Sequence, residues 1–306
     1  MALKRLWVTG LNGFAGSHLS QMMRDGHYAN QYRLTEPVTQ LELKDEASIK
    51  AAVLEAKPDC VIHLAARVFV PLANKYPIDA YEINFLGTQR LLAALHESGF
   101  TGRFLYVSSG DVYGSVPLTE LPVSEERAVL PRNHYGVSKA AAELLCRQWA
   151  LTGMDVVIAR PFNHVGAGQS ESFALSDWAK QIIELKHQKR TLPVSVGNLD
   201  VTRDFCDVHD VIRAYFMLLD KGVSGEIYNI ASGREYVLGD LLNQLFELAG
   251  VPKQIAQDQS RVRPNEQTRM CGNIKKLQTQ TGWQPVCDMK ETLKTILTDW
   301  ENKLKP

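Results

Sequence analysis

The stretch that decides the fold is Leu6-Trp7-Val8-Thr9-Gly10-Leu11-Asn12-Gly13-Phe14-Ala15-Gly16, close to the beginning of the chain. An apolar run of strand length leads into three glycines spaced three apart, and an amphipathic pattern follows to about Met23. Glycines at this spacing let the backbone turn tightly and approach a pyrophosphate, which then lies on the free N–H groups of the helix. The turn therefore predicts a dinucleotide-binding unit.

Strand and helix patterns alternate from this turn to Arg160. The predicted strands lie at 32–34, 60–64, 103–107 and 155–160, and the helical patterns at 45–56, 77–98 and 135–150. This alternation predicts an α/β fold, namely a Rossmann-type doubly wound parallel sheet. Such sheets bind ligands at the carboxyl ends of their strands, so we expect the site there.

The regular alternation of strand and helix patterns ends after Arg160. A glycine-rich loop, 161–169, is followed by polar loops between shorter elements. Helices are predicted at 173–186, 208–220, 237–249 and 288–303, and one more sheet strand at 226–230. We therefore divide the chain into an NAD(P)-binding Rossmann domain, residues 1–160, and a smaller substrate-binding lobe, residues 161–306, some of whose elements return to the first domain.

Composition limits the class of protein. The chain has 306 residues with 34 basic and 34 acidic side chains, so no charge excess points to nucleic acid or to an anionic membrane. No apolar run approaches the roughly twenty residues that span a bilayer, and the first residues lack the apolar region of a signal peptide. Five cysteines form no Cys-x-x-Cys pair, so we expect no disulfide framework and assign no metal ligands. We expect a soluble cytoplasmic protein.

Candidate catalytic groups lie between Ser108 and Lys139. Ser109 follows an apolar strand, which places it at the carboxyl end of the sheet. Tyr135 and Lys139 are four residues apart at the head of a helical pattern and therefore share a face. A lysine one turn away stabilises a phenolate and lowers the pKa of the tyrosine from its usual value of about 10. A Tyr-x-x-x-Lys pair is common by chance, but its place after the glycine turn and the Ser-Ser strand end favours a role in proton transfer.

Three further polar residues are interpreted from their positions. Glu36 lies near the place where an acid would bind the ribose diol of NAD, and where the lack of an acid leaves room for the 2′-phosphate of NADP. Because the sequence does not settle whether Glu36 occupies that place, the choice between NADPH and NADH stays open. His63 ends the third predicted strand and is interpreted as a core histidine rather than a catalyst. We expect Asn84, within the predicted helix 77–98, to bond a loop carbonyl.

Together, the glycine turn and the trio Ser109, Tyr135 and Lys139 resemble the extended short-chain dehydrogenase/reductase family, over essentially the whole chain. The resemblance implies that Ser109 and Tyr135 act on the substrate, and that Lys139 holds the cofactor ribose and tunes Tyr135. It also implies the cofactor contacts, which are Gly10, Gly13, Phe14, Ala15, Gly16, Leu64, Ala65, Ala66, Tyr135 and Lys139. Two positions depart from the family pattern: His134, where proline is usual, and Arg67, where a smaller or uncharged residue is common.

Within the family, the closer resemblance is to members that act on GDP-linked sugars. The stretches that carry it are 108–114, 160–164, 203–205 and 263–266. It implies substrate contacts at Ser109, Asp111, Asn163, Arg203, Arg263 and Glu266. Arginine pairs with phosphate in a bidentate way and a carboxylate suits ribose hydroxyls. The alternative for each arginine is a surface salt bridge.

The resemblance to these members implies that the protein reduces the C4 keto group of a GDP-linked 4-keto-6-deoxyhexose with NADPH or NADH. The alternatives are a 4,6-dehydratase, a 4-epimerase and, from a different class, a non-catalytic nucleotide-sensing protein on the same fold. A dehydratase needs a base two residues after the catalytic serine, where GDP-mannose dehydratases have Glu and this chain has the shorter Asp111. Helices 77–98 and 135–152 match the pair that forms a four-helix interface in family dimers, which implies a homodimer.

Overall fold

A parallel sheet forms the centre of the protein. The computed structural model describes residues 3–262 and 266–305. Its strands are β1 (Lys4–Thr9), β2 (Tyr32–Thr35), β3 (Cys60–His63), β4 (Arg103–Val107), β5 (Val156–Pro161), β6 (Asn163–Val165), β7 (Val194–Val196), β8 (Thr202–Arg203), β9 (Phe205–Asp207), β10 (Ile227–Ile230), β11 (Tyr236–Val237) and β12 (Ile255–Gln257). Within the described residues, six strands form the parallel sheet in the order β10-β5-β4-β3-β1-β2. The others pair as β6 with β9, β7 with β12 and β8 with β11.

Helices cover both faces of the central sheet. They are α1 (Phe14–Arg24), α2 (Glu46–Ala56), α3 (Val70–Lys75), α4 (Pro77–Tyr81), the π-helix Glu82–Leu86, α5 (Gly87–Glu97), α6 (His134–Leu151), α7 (Ala174–Lys186), α8 (Val208–Lys221), α9 (Leu238–Ala249), α10 (Lys275–Thr281) and α11 (Met289–Lys303). Side chains of α1 and α8 pack on one face of the sheet, and those of α2, α5 and α6 on the other. This arrangement confirms the predicted doubly wound α/β fold.

Strand β4 contributes side chains to the apolar clusters on both faces of the sheet. Leu105 and Val107 pack in the cluster with α1 and α8, whereas Phe104 and Tyr106 pack with α2, α5 and α6. All four side chains are buried. A strand that is covered on both faces has a continuous apolar sequence. Strand β4 could therefore be predicted although its sequence does not alternate between apolar and polar residues.

The second half of the chain contributes to two cores. A separate apolar cluster lies between α7, α9 and α11. In contrast, β10 pairs with β5 in the central sheet and α8 packs on that sheet. The division of the chain at residue 160 stays a prediction. Among the residues that the structure describes, no helix has both the length and the apolar character needed to cross a membrane.

The predicted helix 77–98 needs a correction, and two short helices were not predicted. Instead of one regular helix, α4, the π-helix Glu82–Leu86 and α5 follow one another. Single π turns inside α-helices commonly occur at functional sites, and this one carries Asn84. Helices α3 and α10 have six and seven residues, too few to produce a recognisable period.

Candidate active site

The glycine turn between β1 and α1 packs closely against its own backbone and against the segment after β3. Gly10 has φ +76°, and a Cβ there would lie 2.8 Å from the Ala65 nitrogen. A Cβ on Gly16 would overlap the carbonyl oxygens of Gly10 and Leu11. Within the described part of the chain, no side chain caps α1, whose N-cap is Gly13. The N–H groups at the start of α1, which no side chain caps, fit a dinucleotide pyrophosphate.

The predicted cofactor residues that follow β3 lie next to the glycine turn. The chain passes from β1 to β2 on one side and then to β3 on the other, and ligands bind at such a switch point. Beyond the end of β3, the Leu64 and Ala65 N–H groups donate to the Thr9 carbonyl (3.1 Å) and the Thr9 Oγ1 (3.3 Å). The Phe14 ring stacks on His164 with centroids 5.9 Å apart. The turn and the segment after β3 are therefore fixed against each other.

His63 is a core histidine, as predicted. It is buried at the end of β3, and its ring nitrogens lie 2.6 Å from the Thr9 Oγ1 and 3.1 Å from the Thr88 Oγ1. Burial lowers the pKa of His63 to about 3, with a smaller contribution from the Lys139 charge. The ring is therefore neutral at neutral pH and joins β3 to β1 and α5.

Ser109, Tyr135 and Lys139 converge at the carboxyl end of β4. Ser109 caps the 3-10 helix that follows it, and its Oγ accepts a hydrogen bond from the Asp111 N–H at 3.2 Å. Tyr135 lies in the first turn of α6 and shares a hydrogen bond with Ser109. Lys139, one turn further along α6, is buried, and its Nζ donates to the Val107 carbonyl at 2.7 Å. The structure thus brings the three predicted catalytic side chains together.

The electrostatic environment of Tyr135 differs from the prediction. Burial raises its pKa, the Asp111 carboxylate raises the pKa further, and the Ser109 hydrogen bond lowers it. The Lys139 Nζ lies 5.0 Å from the ring centre of Tyr106 rather than at the phenol of Tyr135. The expectation that Lys139 lowers the pKa of Tyr135 is therefore wrong in this structure. The Tyr135 phenol is protonated at neutral pH.

Two residues that the sequence analysis did not assign shape the start of α6 beside the Ser109 turn. The Oδ1 of Asn133, the N-cap of α6, accepts from the Gly136 N–H at 2.7 Å. A Cβ on Gly136 would lie 2.9 Å from the Pro131 Cβ and 3.0 Å from the Asp111 carbonyl oxygen, so glycine allows the close approach. The signal for Asn133 was present, because Asn near the start of a helical pattern is a typical N-cap.

Asn84 connects the segment after β3 to helix α6. Its Nδ2 donates to the Arg67 carbonyl (3.1 Å) and to the Ser138 Oγ (2.9 Å), and its Oδ1 accepts from the Arg67 N–H (2.7 Å). Ser138 in turn donates to the Tyr135 carbonyl at 2.7 Å. The predicted bond from Asn84 to a loop carbonyl is confirmed.

The two departures from the family pattern have partners in the fold. Arg67 forms an ion pair with Asp79, with an Nη2 to Oδ2 distance of 2.9 Å. The His134 N–H donates to the Asn74 Oδ1 at 3.2 Å, a bond that proline could not make. The His134 Nδ1 also shares a hydrogen bond with the Tyr81 hydroxyl at 2.6 Å. His134 therefore fastens the start of α6 to α3 and α4.

The predicted substrate contacts in the second half lie on short strands and loops. Asn163 begins β6, and its Nδ2 lies 3.4 Å from the Asp204 carbonyl oxygen. The Arg203 Nη2 donates to the Glu266 Oε1 at 3.0 Å, so these two predicted nucleotide contacts are neighbours. Arg263 lies outside the described residues.

Comparison with known proteins defines the class of the protein. The family model for GDP-mannose 4,6 dehydratase matches residues 29–296, which is most of the chain. With the fold and the trio described above, the chain belongs to the extended short-chain dehydrogenase/reductase family. GDP-6-deoxy-D-mannose reductase of Pseudomonas aeruginosa is 44% identical to it over 99% of both chains.

Two further comparisons describe this similarity. GDP-6-deoxy-D-talose 4-dehydrogenase of Aggregatibacter actinomycetemcomitans is 30% identical, over 89% of this chain and 90% of its own. The structure of RMD from Pseudomonas aeruginosa complexed with NADPH matches with a TM-score of 0.94 at 44% identity, over 98% of this chain and 100% of that one. The similarity therefore extends through both halves of the chain.

Proposed function

We propose that the protein reduces the C4 keto group of GDP-4-keto-6-deoxy-D-mannose with NADPH or NADH and forms GDP-D-rhamnose. The observation that carries this proposal is the 44% identity, from end to end, with a GDP-6-deoxy-D-mannose reductase. The structure of RMD complexed with NADPH supports the choice of a nicotinamide cofactor. The relative named as a 4-dehydrogenase of a GDP-6-deoxyhexose supports redox chemistry at C4.

In the proposed reaction, Tyr135 is the proton donor. When bound, the nicotinamide supplies the hydride. Tyr135 gives its phenolic proton to the oxygen at C4, and Ser109 donates a hydrogen bond to the same oxygen. Lys139 holds the cofactor ribose. Gly10, Gly13, Phe14, Ala15 and Gly16, with Leu64, Ala65 and Ala66, are the proposed dinucleotide contacts.

The protonated state of Tyr135 fits the acid that the proposed reduction needs. A reduction at C4 begins with a protonated acid, and burial together with Asp111 keeps the Tyr135 phenol protonated by raising its pKa. A 4,6-dehydratase or a 4-epimerase begins instead by removing the proton of the C4 hydroxyl, which requires a base. A raised pKa supports the first kind of reaction.

Asp111 is proposed as a substrate contact rather than a second base. Its Oδ2 lies 3.4 Å from the Asn133 Nδ2, and its carboxylate acts electrostatically on Tyr135. Asp is one methylene, roughly 1.5 Å, shorter than the Glu of dehydratases. A misplacement of about 1 Å can cost on the order of 10²-fold in rate, so Asp111 suits a hydrogen bond to a sugar hydroxyl. The proposed nucleotide-sugar contacts further along the chain are Asn163, Arg203, Arg263 and Glu266.

The decisive experiment offers the purified protein two substrates. It is incubated with GDP-mannose alone, and separately with the 4-keto product of a GDP-mannose dehydratase plus NADPH or NADH. We expect stoichiometric oxidation of the cofactor and GDP-D-rhamnose only in the second case, identified by NMR of the released sugar. Catalytic formation of a 4-keto-6-deoxy sugar from GDP-mannose without added reductant would show that the protein is a dehydratase.

We also propose that the protein is a homodimer through the helices at 77–98 and α6. Val137, Leu144 and Leu151 are exposed apolar side chains on α6 at a spacing of seven, which places them on one face. Ile78 on α4 is exposed as well. An apolar stripe of this kind is typical of a helix that packs against another helix.

A cytoplasmic location stays a prediction from the sequence.

A further inference from the structure

The Glu143–Arg160 ion pair is buried next to the catalytic trio. The Arg160 Nε and Nη2 donate to the two Glu143 carboxylate oxygens at 2.8 and 2.6 Å. The two side chains are only 3% and 4% exposed. A buried ion pair of this kind contributes little net stability, because desolvation offsets the Coulomb attraction. Its place in the fold therefore calls for another explanation.

Glu143 lies on the catalytic face of α6. It follows Lys139 by four residues and Tyr135 by eight, so the three side chains are on one side of the helix. Among the described residues, no salt bridge joins Lys139 to a carboxylate, and its Nζ donates to the Val107 carbonyl. Glu143, four residues further along the same helix, is the acid whose charge acts on Lys139.

The other titratable groups around Lys139 are neutral at neutral pH. Burial raises the pKa of Tyr106 on β4 and of Cys146 on α6, and it lowers the pKa of His63 on β3. Tyr135 is protonated, as described above. Burial lowers the pKa of Lys139 to about 8, and Cys146 and Glu143 oppose that shift. Because the Cys146 thiol is uncharged, Glu143 provides the negative charge that opposes it.

Arg160 connects the pair to the Ser109 turn. Its guanidinium lies 4.8 Å from the ring centre of Tyr113, the last residue of the 3-10 helix that Ser109 caps. The Tyr113 hydroxyl donates to the Asn229 Oδ1 on β10 at 2.7 Å, and both of these side chains are buried. The ion pair thus joins the helix that carries Lys139 to the turn that carries Ser109.

We propose that the Glu143–Arg160 pair is a positioning element of the reduction, in which the carboxylate holds the charge of Lys139 and the guanidinium fixes the Ser109 turn. The inference rests on the proposed function, because the hold of Lys139 on the cofactor ribose is part of it. The pair itself contacts neither the substrate nor the cofactor in this scheme.

The test measures NADPH affinity against pH, from about pH 6 to about pH 10, by quenching of the protein fluorescence. Wild-type affinity is expected to fall as the pH rises through the pKa of Lys139. In Glu143→Gln, this fall should move to lower pH by on the order of one unit, because the opposite charge is lost. The matched control is Asp155→Asn, which breaks the Arg103–Asp155 pair (3.0 Å) at the other end of β4 and β5 and should leave the profile in place.

A double variant, Glu143→Leu with Arg160→Met, covers the case in which Glu143→Gln fails to fold. Apolar replacement of a buried ion pair is often neutral or stabilising, so this variant should fold. Its turnover with the 4-keto sugar should fall at least about tenfold, with the sugar KM changed much less, because Ser109 and Lys139 lose their alignment. A folded double variant with the wild-type NADPH profile and wild-type turnover would overturn the proposal. If the wild type binds NADPH but reduces no such sugar, the proposed function fails while the NADPH profile still decides on the pair.

Discussion

At the residue scale, the proposed reaction requires the hydroxyl of Tyr135 for turnover. Replacement by Phe removes the proton donor and keeps the ring, so turnover should fall by a factor on the order of 10² or more while NADPH affinity changes little. The measurement is NADPH oxidation with the 4-keto sugar, together with NADPH titration. Tyr32→Phe is the matched control, since it removes another buried tyrosine hydroxyl, on β2. A Tyr135→Phe variant that keeps most of its turnover would show that another group donates the proton.

The sequence predicts which site residues come together better than it predicts their charge states. Spacing places Tyr135 and Lys139 on one helix face, and the strand end places Ser109 beside them. The direction of a long lysine side chain is not determined by spacing, and here the Val107 carbonyl binds it. The effect of Asp111 on Tyr135 also depends on how α6 approaches the Ser109 turn, which is a tertiary feature.

At the scale of elements, His63 makes the junction of β1, β3 and α5 sensitive to acid. The unfolded chain binds a proton on this ring below about pH 6.5, whereas burial in the folded protein lowers the pKa to about 3. The unfolded state therefore holds more protons between these values, and stability falls as the pH falls. The loss is about 1.4 kcal/mol per pH unit within that window.

The His63 prediction is tested by urea unfolding at a series of pH values. His63→Gln removes the titrating ring, so the free energy of unfolding should decrease less steeply below about pH 6.5 than in the wild type. His27→Gln, at an exposed position, is the control and should keep the wild-type slope. Equal slopes in the wild type and His63→Gln would contradict this account.

The elements that could be predicted are those with long apolar patterns. Strands β1, β3, β4 and β5 are buried runs, and the helices α7, α8, α9 and α11 each present a clear apolar face. The short strands β6 to β9, β11 and β12 have two or three residues each, and their pairing partners lie far along the chain in most cases. Periodicity does not reveal the π-helix either, and the bonds of its Asn84 to Arg67 and Ser138 join residues that lie far apart in the sequence.

At the scale of the whole molecule, the exposed stripe on α6 leads to a prediction about assembly. Leu144, at the middle of the stripe, is 64% exposed, and Leu54 on α2 is 61% exposed outside it. A stable dimer buries about 1,200–2,000 Å² in total, with an apolar centre, so one buried glutamate there is costly. Leu144→Glu should therefore shift the protein from dimer to monomer at micromolar concentration, whereas Leu54→Glu, an equal change in charge and polarity, should leave it dimeric. Light scattering coupled to size exclusion measures both masses, and circular dichroism confirms that each variant is folded. A wild-type protein that is monomeric at this concentration, or a Leu144→Glu variant that stays dimeric, would exclude the α6 stripe as the interface.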